Sequence, residues 1–285
     1  MGNFFKIFFA SLLSLIVFSL LILLVMVLFF FAYVLAAFLA HPDWVSVAKN
    51  LLIPSGPFTK TYFIAAVALM GTTITPYLFF WQVKEEVEER KPAKQALREA
   101  AHADRITAPG FIFSQVITLF IIIATGATLH QQGITISTAA DAARALAPVA
   151  GNGASILFAL GIIGAGLLAL PVLSASTAYV VAETAGWRHD SLNNKIHMAK
   201  GFYAVITLSL FAGIALYIVG IEPIKALYYS QVLAGGLAPF LLILIMIVAN
   251  NREIMQDFRN GWFDNFFGSL AIVVMLTATV LMFLA

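Results

Sequence analysis

Apolar runs of about 20 residues recur along the chain, and each is long enough to cross the hydrocarbon core of a bilayer as a helix. Seven such runs are apparent, at residues 4–40, 62–81, 111–129, 154–182, 202–219, 226–250 and 262–285. Because 61% of the residues are hydrophobic and only 11% are charged, the composition excludes a soluble enzyme. The sequence predicts an all-α polytopic membrane protein, a single transmembrane domain in the lipid bilayer with no nucleic-acid partner.

The first run is longer than a bilayer requires. A helix over residues 4–40 would extend about 55 Å, whereas the hydrocarbon core is about 30 Å thick. The run could therefore be one tilted helix or a hairpin. No Gly, Pro, Asn or Asp lies between Lys6 and His41 to mark a turn. We predict one long N-terminal helix over residues 1–41.

Lysines and arginines are distributed unevenly between the loops. With the N-terminus inside, Lys6 and the loops at residues 83–110, 184–201 and 251–261 hold 12 of the 16 Lys and Arg residues. Cytoplasmic loops of membrane proteins carry such an excess. The distribution predicts that the N-terminus is inside and the C-terminus outside.

Two loops carry recognisable local patterns. Residues 83–107 predict a solvated helix-turn-helix linker that bends at Pro92, and the acidic residues Glu85 and Glu86 within it could form either a cation antechamber or a charged face that stays in water. The opposite loop predicts a short Ala-rich helix over residues 138–146, capped by Ser137.

The second apolar run is interrupted at its centre by the sequence Gly71-Thr-Thr-Ile-Thr-Pro-Tyr77. Pro76 has no N–H for the Thr72 carbonyl, and it disfavours α geometry at Thr75. In hydrocarbon, an unpaired carbonyl is tolerated only where it lines a cavity or meets a ligand. Broken helices near the midplane build ion and substrate sites in many secondary transporters. We predict that Thr72 and Thr75 contribute to a ligand site.

Acidic residues are absent from the middle of every predicted span, and the closest, Glu183, lies at the end of the fourth run. A site that dehydrates a divalent cation normally needs a carboxylate. Gln231 is an isolated amide in a span, which is costly without a partner. It predicts either a ligand or a hydrogen bond between helices. Gly235, Gly236 and Pro239 suggest that this span has an irregular start.

Three stretches in order resemble the Nramp family of divalent metal ion transporters. Gly71-Thr-Thr-Ile-Thr-Pro-Tyr-Leu-Phe-Phe-Trp-Gln82, followed by an acidic run, is similar to the family's sixth helix. Leu170-Pro-Val-Leu-Ser-Ala-Ser-Thr-Ala-Tyr179 is similar to its eighth, and Ser230-Gln-Val-Leu-Ala-Gly-Gly-Leu-Ala-Pro-Phe240 to its tenth. The resemblance covers roughly residues 31–285.

The resemblance implies a partial LeuT-type inverted-repeat fold. Residues 62–250 would form the second five-helix repeat, and residues 262–285 an extra C-terminal helix. Metal would lie between broken first and sixth helices, with ligands from the Thr72 carbonyl, from Thr75 in place of the usual methionine, and from Gln231. Tyr77 replaces a histidine and would lie on the pathway with Glu85 and Glu86.

The replacement at Thr75 bears on which metal is chosen. A thioether favours softer transition metals, whereas a hydroxyl favours harder cations. Thr75 therefore resembles the magnesium-transporting branch of the family, so the substrate would be Mn²⁺ or Fe²⁺ or, given Thr75, Mg²⁺. The cation would be cargo of a symporter working by alternating access, with no cofactor, in a bacterial inner (plasma) membrane.

The resemblance also implies that the chain is truncated. It begins near the family's fifth helix, and the first-helix motif Asp-Pro-Gly-Asn is absent from these residues. One alternative is therefore a non-transporting fragment, or a partner subunit that needs a separate chain carrying the missing helices. An amino-acid permease of the same fold is a weaker alternative.

Overall fold

The structure, a computed structural model, describes residues 2–53, 56–75, 77, 79–81, 83–84, 93–187, 192 and 196–285, with side chains described for all of these except 2–19 and 93–107. Every regular element in these residues is helical, which confirms the predicted all-α class. The α-helices are α1 (Gly2–Leu39), α2 (Trp44–Leu52), α3 (Lys60–Thr73), α4 (Ala93–Thr128), α5 (Ala139–Ala143), α6 (Ala147–Ala150), α7 (Ala154–Thr184), α8 (Lys200–Ile218), α9 (Pro223–Asn250), α10 (Arg252–Met255) and α11 (Trp262–Leu284).

Six helical stretches in the described part of the chain are long and apolar enough to cross a membrane: Leu20–Leu39, Ala108–Gln132, Ala139–Thr184, Lys200–Ile218, Pro223–Asn250 and Trp262–Leu284. The remaining predicted span, residues 62–81, overlaps α3, whose 14 residues are too few to cross a membrane alone. The first run forms one continuous helix, α1, as predicted, and not a hairpin.

One predicted irregularity is wrong. The start of α9 is regular, because α9 is continuous from Pro223 to Asn250 with Pro239 inside it. The linker before the third run continues into the span as one helix, because α4 extends from Ala93 through Pro109 to Thr128. A proline removes one helical hydrogen bond, and membrane helices accommodate that loss through local adjustment and neighbouring groups. Pro92, the predicted bend, lies outside the described residues.

The predicted cap of the Ala-rich loop helix is also wrong by one residue. Thr138, not Ser137, caps α5: its Oγ1 accepts a hydrogen bond from the backbone N–H of Asp141 at 3.2 Å. The Asp141 carboxylate in turn accepts the backbone N–H of Thr138 at 3.0 Å, which completes a capping box. The reciprocal partner three residues later selects Thr138 as the cap.

The chain divides into two compact units, Met1–Leu52 with Phe113–Pro171, and Ile53–Ile112 with Val172–Ala285. The core of the first unit contains Ala36, Ala37, Ala124 and Leu146. Within it, the ring of Phe29 lies against Gly161, where any larger side chain would collide with the ring. Small residues of this kind let membrane helices pack closely.

The second unit contains α3, α9 and α11, which pack against one another. Val67, Ala278 and Met282 form their shared buried core. A separate core in the same unit surrounds Phe202, which is fully buried, and Tyr179. The broken helix and the residues around it belong to this second unit.

Candidate metal site at the broken helix

The helix break predicted from Pro76 is present. α3 ends at Thr73, and Ile74 adopts an extended conformation with φ −107° and ψ 93°. The N–H of Ile74 donates to the Met70 carbonyl at 2.9 Å, which closes the last turn. Thr75 lies outside any helix, and Tyr77 is helical again. The backbone thus leaves helical geometry over the residues that the sequence indicated.

The threonines beside the break differ in their contacts. Thr72 Oγ1 donates to the Leu69 carbonyl at 2.7 Å, and Thr73 Oγ1 donates to the same carbonyl at 3.0 Å. Their protons are therefore directed back into α3, and the group of Thr72 that lacks its usual helical donor is the backbone carbonyl. Pro76 has no N–H to donate to that carbonyl. The half-buried Thr75 lies beyond the helical end.

The backbones of α3 and α9 touch next to the break. A methyl group on Gly71 would overlap the Gln231 carbonyl oxygen and lie 2.6 Å from the Gly235 nitrogen. A methyl group on Gly235 would overlap the Val67 carbonyl oxygen and lie 2.9 Å from the Val67 carbonyl carbon. The contact is reciprocal because Val67 and Gly71, like Gln231 and Gly235, are one helical turn apart. Only glycine permits this approach at either position.

This contact positions Gln231 beside the last turn of α3. Its backbone carbonyl faces Gly71, two residues before the end of the helix. Its side-chain Oε1 is buried and has no hydrogen-bond partner among the described residues. A buried amide oxygen without a donor is costly, by about 1–3 kcal/mol, and calls for a ligand, an ion or a water molecule. Within the described part of the chain, this oxygen does not make the hydrogen bond between helices that the sequence left open.

Other predicted site residues are less closely described. Tyr77 is half-buried just past the break. Glu85 and Glu86 lie outside the described residues. In the part of the chain that the structure describes, no three His, Cys, Asp or Glu side chains come together as metal ligands. The described donor set near the break is therefore neutral oxygen, from carbonyls, a hydroxyl and an amide.

The hydroxyl groups of α7 differ in their contacts. Thr177 has a structural contact within the helix, since its Oγ1 donates to the Leu173 carbonyl at 2.9 Å. Ser176 differs, because its buried Oγ has no hydrogen-bond partner among the described residues. Its position in α7 gave no sequence signal that separates it from its neighbours.

An aromatic cluster holds the helical residues that follow the break. The ring of Trp81 lies 5.9 Å from that of Tyr179 on α7, and Tyr179 lies 4.8 Å from Phe202 on α8. Both pairs are edge-to-face, an arrangement that aromatic quadrupoles favour. The Tyr179 hydroxyl also accepts the backbone N–H of Leu192 at 3.2 Å.

An ion pair, which the sequence did not predict, closes this cluster. Lys84 Nζ lies 3.2 Å from Glu183 Oε2 and 5.9 Å from the ring centroid of Tyr179. The Lys84 side chain is 25% exposed and that of Glu183 58% exposed, so solvent screens the pair. Each residue lies just beyond the end of an apolar run, so the sequence indicates that both lie near the membrane surface. Their pairing required the fold.

Comparison with known proteins gives the chain a family. The sequence model of the Nramp family, described as natural resistance-associated macrophage protein-like, matches residues 4–285. The chain is 26% identical over 260 residues to the divalent metal cation transporter MntH of Clostridium acetobutylicum, covering 89% of this chain and 57% of that protein. It is equally similar to MntH of Caldanaerobacter subterraneus subsp. tengcongensis, with coverage of 89% and 58%.

A more distant relative matches the same portion. MntH of Yersinia enterocolitica is 23% identical over 249 residues, which cover 86% of this chain and 57% of that protein. The chain thus spans little more than half the length of the curated relatives that it matches. The family model nevertheless covers nearly all of the chain, and the six apolar helices agree with an integral membrane protein. The chain belongs to the Nramp family.

Proposed function

We propose that the chain takes part in transmembrane transport of divalent metal cations by alternating access and supplies the broken-helix half of the cation site. The observation that carries the proposal is the buried Oε1 of Gln231, which has no hydrogen-bond donor among the described residues and belongs to a residue held against the end of a broken helix. The relatives it matches are named divalent metal cation transporters. The cation's ligands here are the Thr72 carbonyl, the Thr75 hydroxyl and Gln231 Oε1.

Neutral oxygen ligands set the expected chemistry of this half-site. Carbonyl, hydroxyl and amide oxygens suit hard cations such as Mg²⁺, and the three proposed ligands include no thioether to favour Mn²⁺ or Fe²⁺. Three dipoles without a carboxylate compensate poorly for the loss of water around a divalent ion. These three oxygens therefore bind weakly by themselves, and an acidic group from outside this set completes the site.

The first experiment measures binding of Mg²⁺ and Mn²⁺ to the purified chain by titration calorimetry, followed by uptake in proteoliposomes. Gln231→Leu and Thr75→Ala weaken binding because each removes a ligand oxygen. Thr73→Ala is the matched control, since its hydroxyl is bonded to Leu69 and is assigned no ligand role. Thr72→Ala should also leave binding intact, because the proposed ligand there is the backbone carbonyl.

A second experiment separates the whole transporter from the fragment. The chain is co-expressed with a chain carrying the family's first helices, and uptake is compared with that of each chain alone. Uptake only by the pair supports the half-site proposal. Equal uptake by the chain alone would show that it needs no carboxylate from elsewhere. Absence of binding and uptake in every combination would refute the transport proposal.

Metal choice has its own test. Thr75→Met introduces a thioether and should shift preference from Mg²⁺ towards Mn²⁺. An unchanged ratio of Mn²⁺ to Mg²⁺ uptake would remove Thr75 from the selectivity argument.

A further inference from the structure

A short helix between two spans exposes an apolar face that the first unit leaves uncovered. α2 comprises Trp44–Leu52 and has no buried residue. Val45 is 78% exposed, Leu51 59% and Leu52 81%. Such exposure is unfavourable in water, so something other than the described protein covers this face.

The residues of α2 separate cleanly into two faces. At 3.6 residues per turn, the apolar side chains fall within an arc of about 160°. Its members are Trp44, Val45, Val47, Ala48, Leu51 and Leu52. Ser46, Lys49 and Asn50 fill the opposite arc. A helix with one broad apolar face and one polar face suits a boundary between oil and water.

The helix is capped locally, so it forms without burying this face. Asp43 Oδ1 accepts the backbone N–H of Val45 at 3.0 Å, and Asp43 Oδ2 accepts the Ser46 hydroxyl at 2.6 Å. The Asp43 carbonyl accepts the N–H of Val47 at 2.9 Å, which completes the first turn. These contacts fix where α2 begins relative to the span before it.

That span places α2 at the membrane boundary. The preceding spanning stretch ends at Leu39, and the four residues that connect it to α2 can extend no more than about 14 Å. The Trp44 ring packs on Phe38, in the last turn of α1, with ring centroids 5.0 Å apart. Tryptophan is enriched at the headgroup level, where its apolar ring and polar N–H meet both phases.

We propose that α2 lies in the plane of the membrane interface and inserts its apolar face into the phospholipid layer. The occupant of the face is lipid, because Trp44 on this face packs against Phe38, which is itself 52% exposed in the last turn of a stretch that can span the bilayer. The polar arc then points to water, and the stem of Lys49 can extend along the surface while its ammonium reaches the phosphates. This inference does not rest on the metal-transport proposal.

The chemistry of α2 also limits the lipid preference. Lys49 is the one basic residue of α2, and no acidic residue lies within the helix. Binding is therefore driven by apolar burial, and phosphatidylcholine suffices as the lipid. Anionic phosphatidylglycerol should change the depth of insertion little.

Spin labelling tests this placement directly, because the chain has no cysteine and each single-cysteine variant carries one label. Labels at Val45, Ala48 and Leu52 report on the apolar arc, and labels at Lys49 and Asn50 report on the polar arc. The full chain is reconstituted in phosphatidylcholine vesicles, with and without phosphatidylglycerol. Collision rates are measured with oxygen, which concentrates in the bilayer, and with a water-soluble nickel chelate.

The expected result is a several-fold higher ratio of oxygen to nickel collisions on the apolar arc than on the polar arc. Strong nickel collisions at every position would place α2 in water and overturn the proposal. Weak collisions with both reagents on the apolar arc would also overturn it, because they would show that protein, such as a second copy or another chain, covers the face. Both refuting patterns can occur whether or not the chain binds metal.

Discussion

The glycine contact between α3 and α9 predicts a sharp difference between two adjacent residues. Gly235 lies against the Val67 carbonyl, whereas a methyl group on Gly236 would meet nothing within 4 Å. Gly235→Ala and Gly236→Ala therefore make the same chemical change on the same helix, one into a packed backbone and the other into open space.

The size of the effect follows from the distances. A methyl group on Gly235 would lie 2.9 Å from the Val67 carbonyl carbon and 3.0 Å from its Cγ1, and would overlap the carbonyl oxygen. Carbon atoms normally approach to about 3.5 Å, so the helices must separate by roughly 1 Å at this level. Overpacking of this kind costs about 1–3 kcal/mol. Gly236→Ala should be neutral or stabilising by up to about 1 kcal/mol, because alanine favours the helix.

The assay is reversible unfolding of the purified chain in mixed micelles at increasing dodecyl sulfate, followed by circular dichroism. Thermal unfolding gives a second reading. Gly71→Ala should behave like Gly235→Ala, and the double variant should cost less than the sum, because both methyl groups separate the same helix pair. The same separation moves Gln231 from the break, so metal binding should weaken in parallel.

One result would refute this reasoning. If Gly235→Ala and Gly236→Ala differ by less than about 0.5 kcal/mol in unfolding free energy, the backbones of α3 and α9 do not touch as described. The placement of Gln231 beside the break would then lose its support.

Three further predictions concern the ion pair and the two caps. A double-mutant cycle with Lys84→Met and Glu183→Gln should give a coupling below about 1 kcal/mol in the free energy of unfolding. This coupling should decrease with added salt, since both side chains are partly exposed. A larger coupling that salt does not change would contradict an ion pair screened by solvent. Thr138→Ala should destabilise by about 1 kcal/mol, whereas its control Ser137→Ala should have little effect on the unfolding free energy; the reverse order would restore Ser137 as the cap. The hydrogen bond from the Ser46 hydroxyl, with the N–H groups of Ser46 and Val45, holds the pKa of Asp43 below its ordinary value. The stabilisation of α2 by Asp43 is therefore fully present above the unfolded pKa of about 3.9 and is lost as pH falls through the lower folded pKa. The protection of α2 amides from exchange, relative to their intrinsic rates, should fall across that range, and an equal fall in an Asp43→Asn variant would contradict the prediction.

Much of the fold could be predicted because a membrane helix is marked by a continuous apolar run in the sequence. Apolar length alone located the helices around residues 154–182, 202–219 and 262–285 to within a few residues. The helix break could be predicted too, since the missing N–H of Pro76 is a property of the residue itself. Predictions failed where a proline or glycine inside a helix was taken as an interruption, as at Pro239, because neighbouring groups in a membrane can compensate the lost hydrogen bond.

What the sequence determined by itself is the membrane class, the position of the break and the kinds of oxygen available around it, because each depends on residues close together in the chain. Tertiary structure decided that Gly71 meets Gln231, that the Gln231 amide oxygen is buried with no donor from the residues that the structure describes, and that Lys84 pairs with Glu183. Those contacts join residues far apart in sequence, and the packing distance between helices determines them. Residue type made Gln231 a candidate ligand; the close approach of two glycines placed it beside the broken helix.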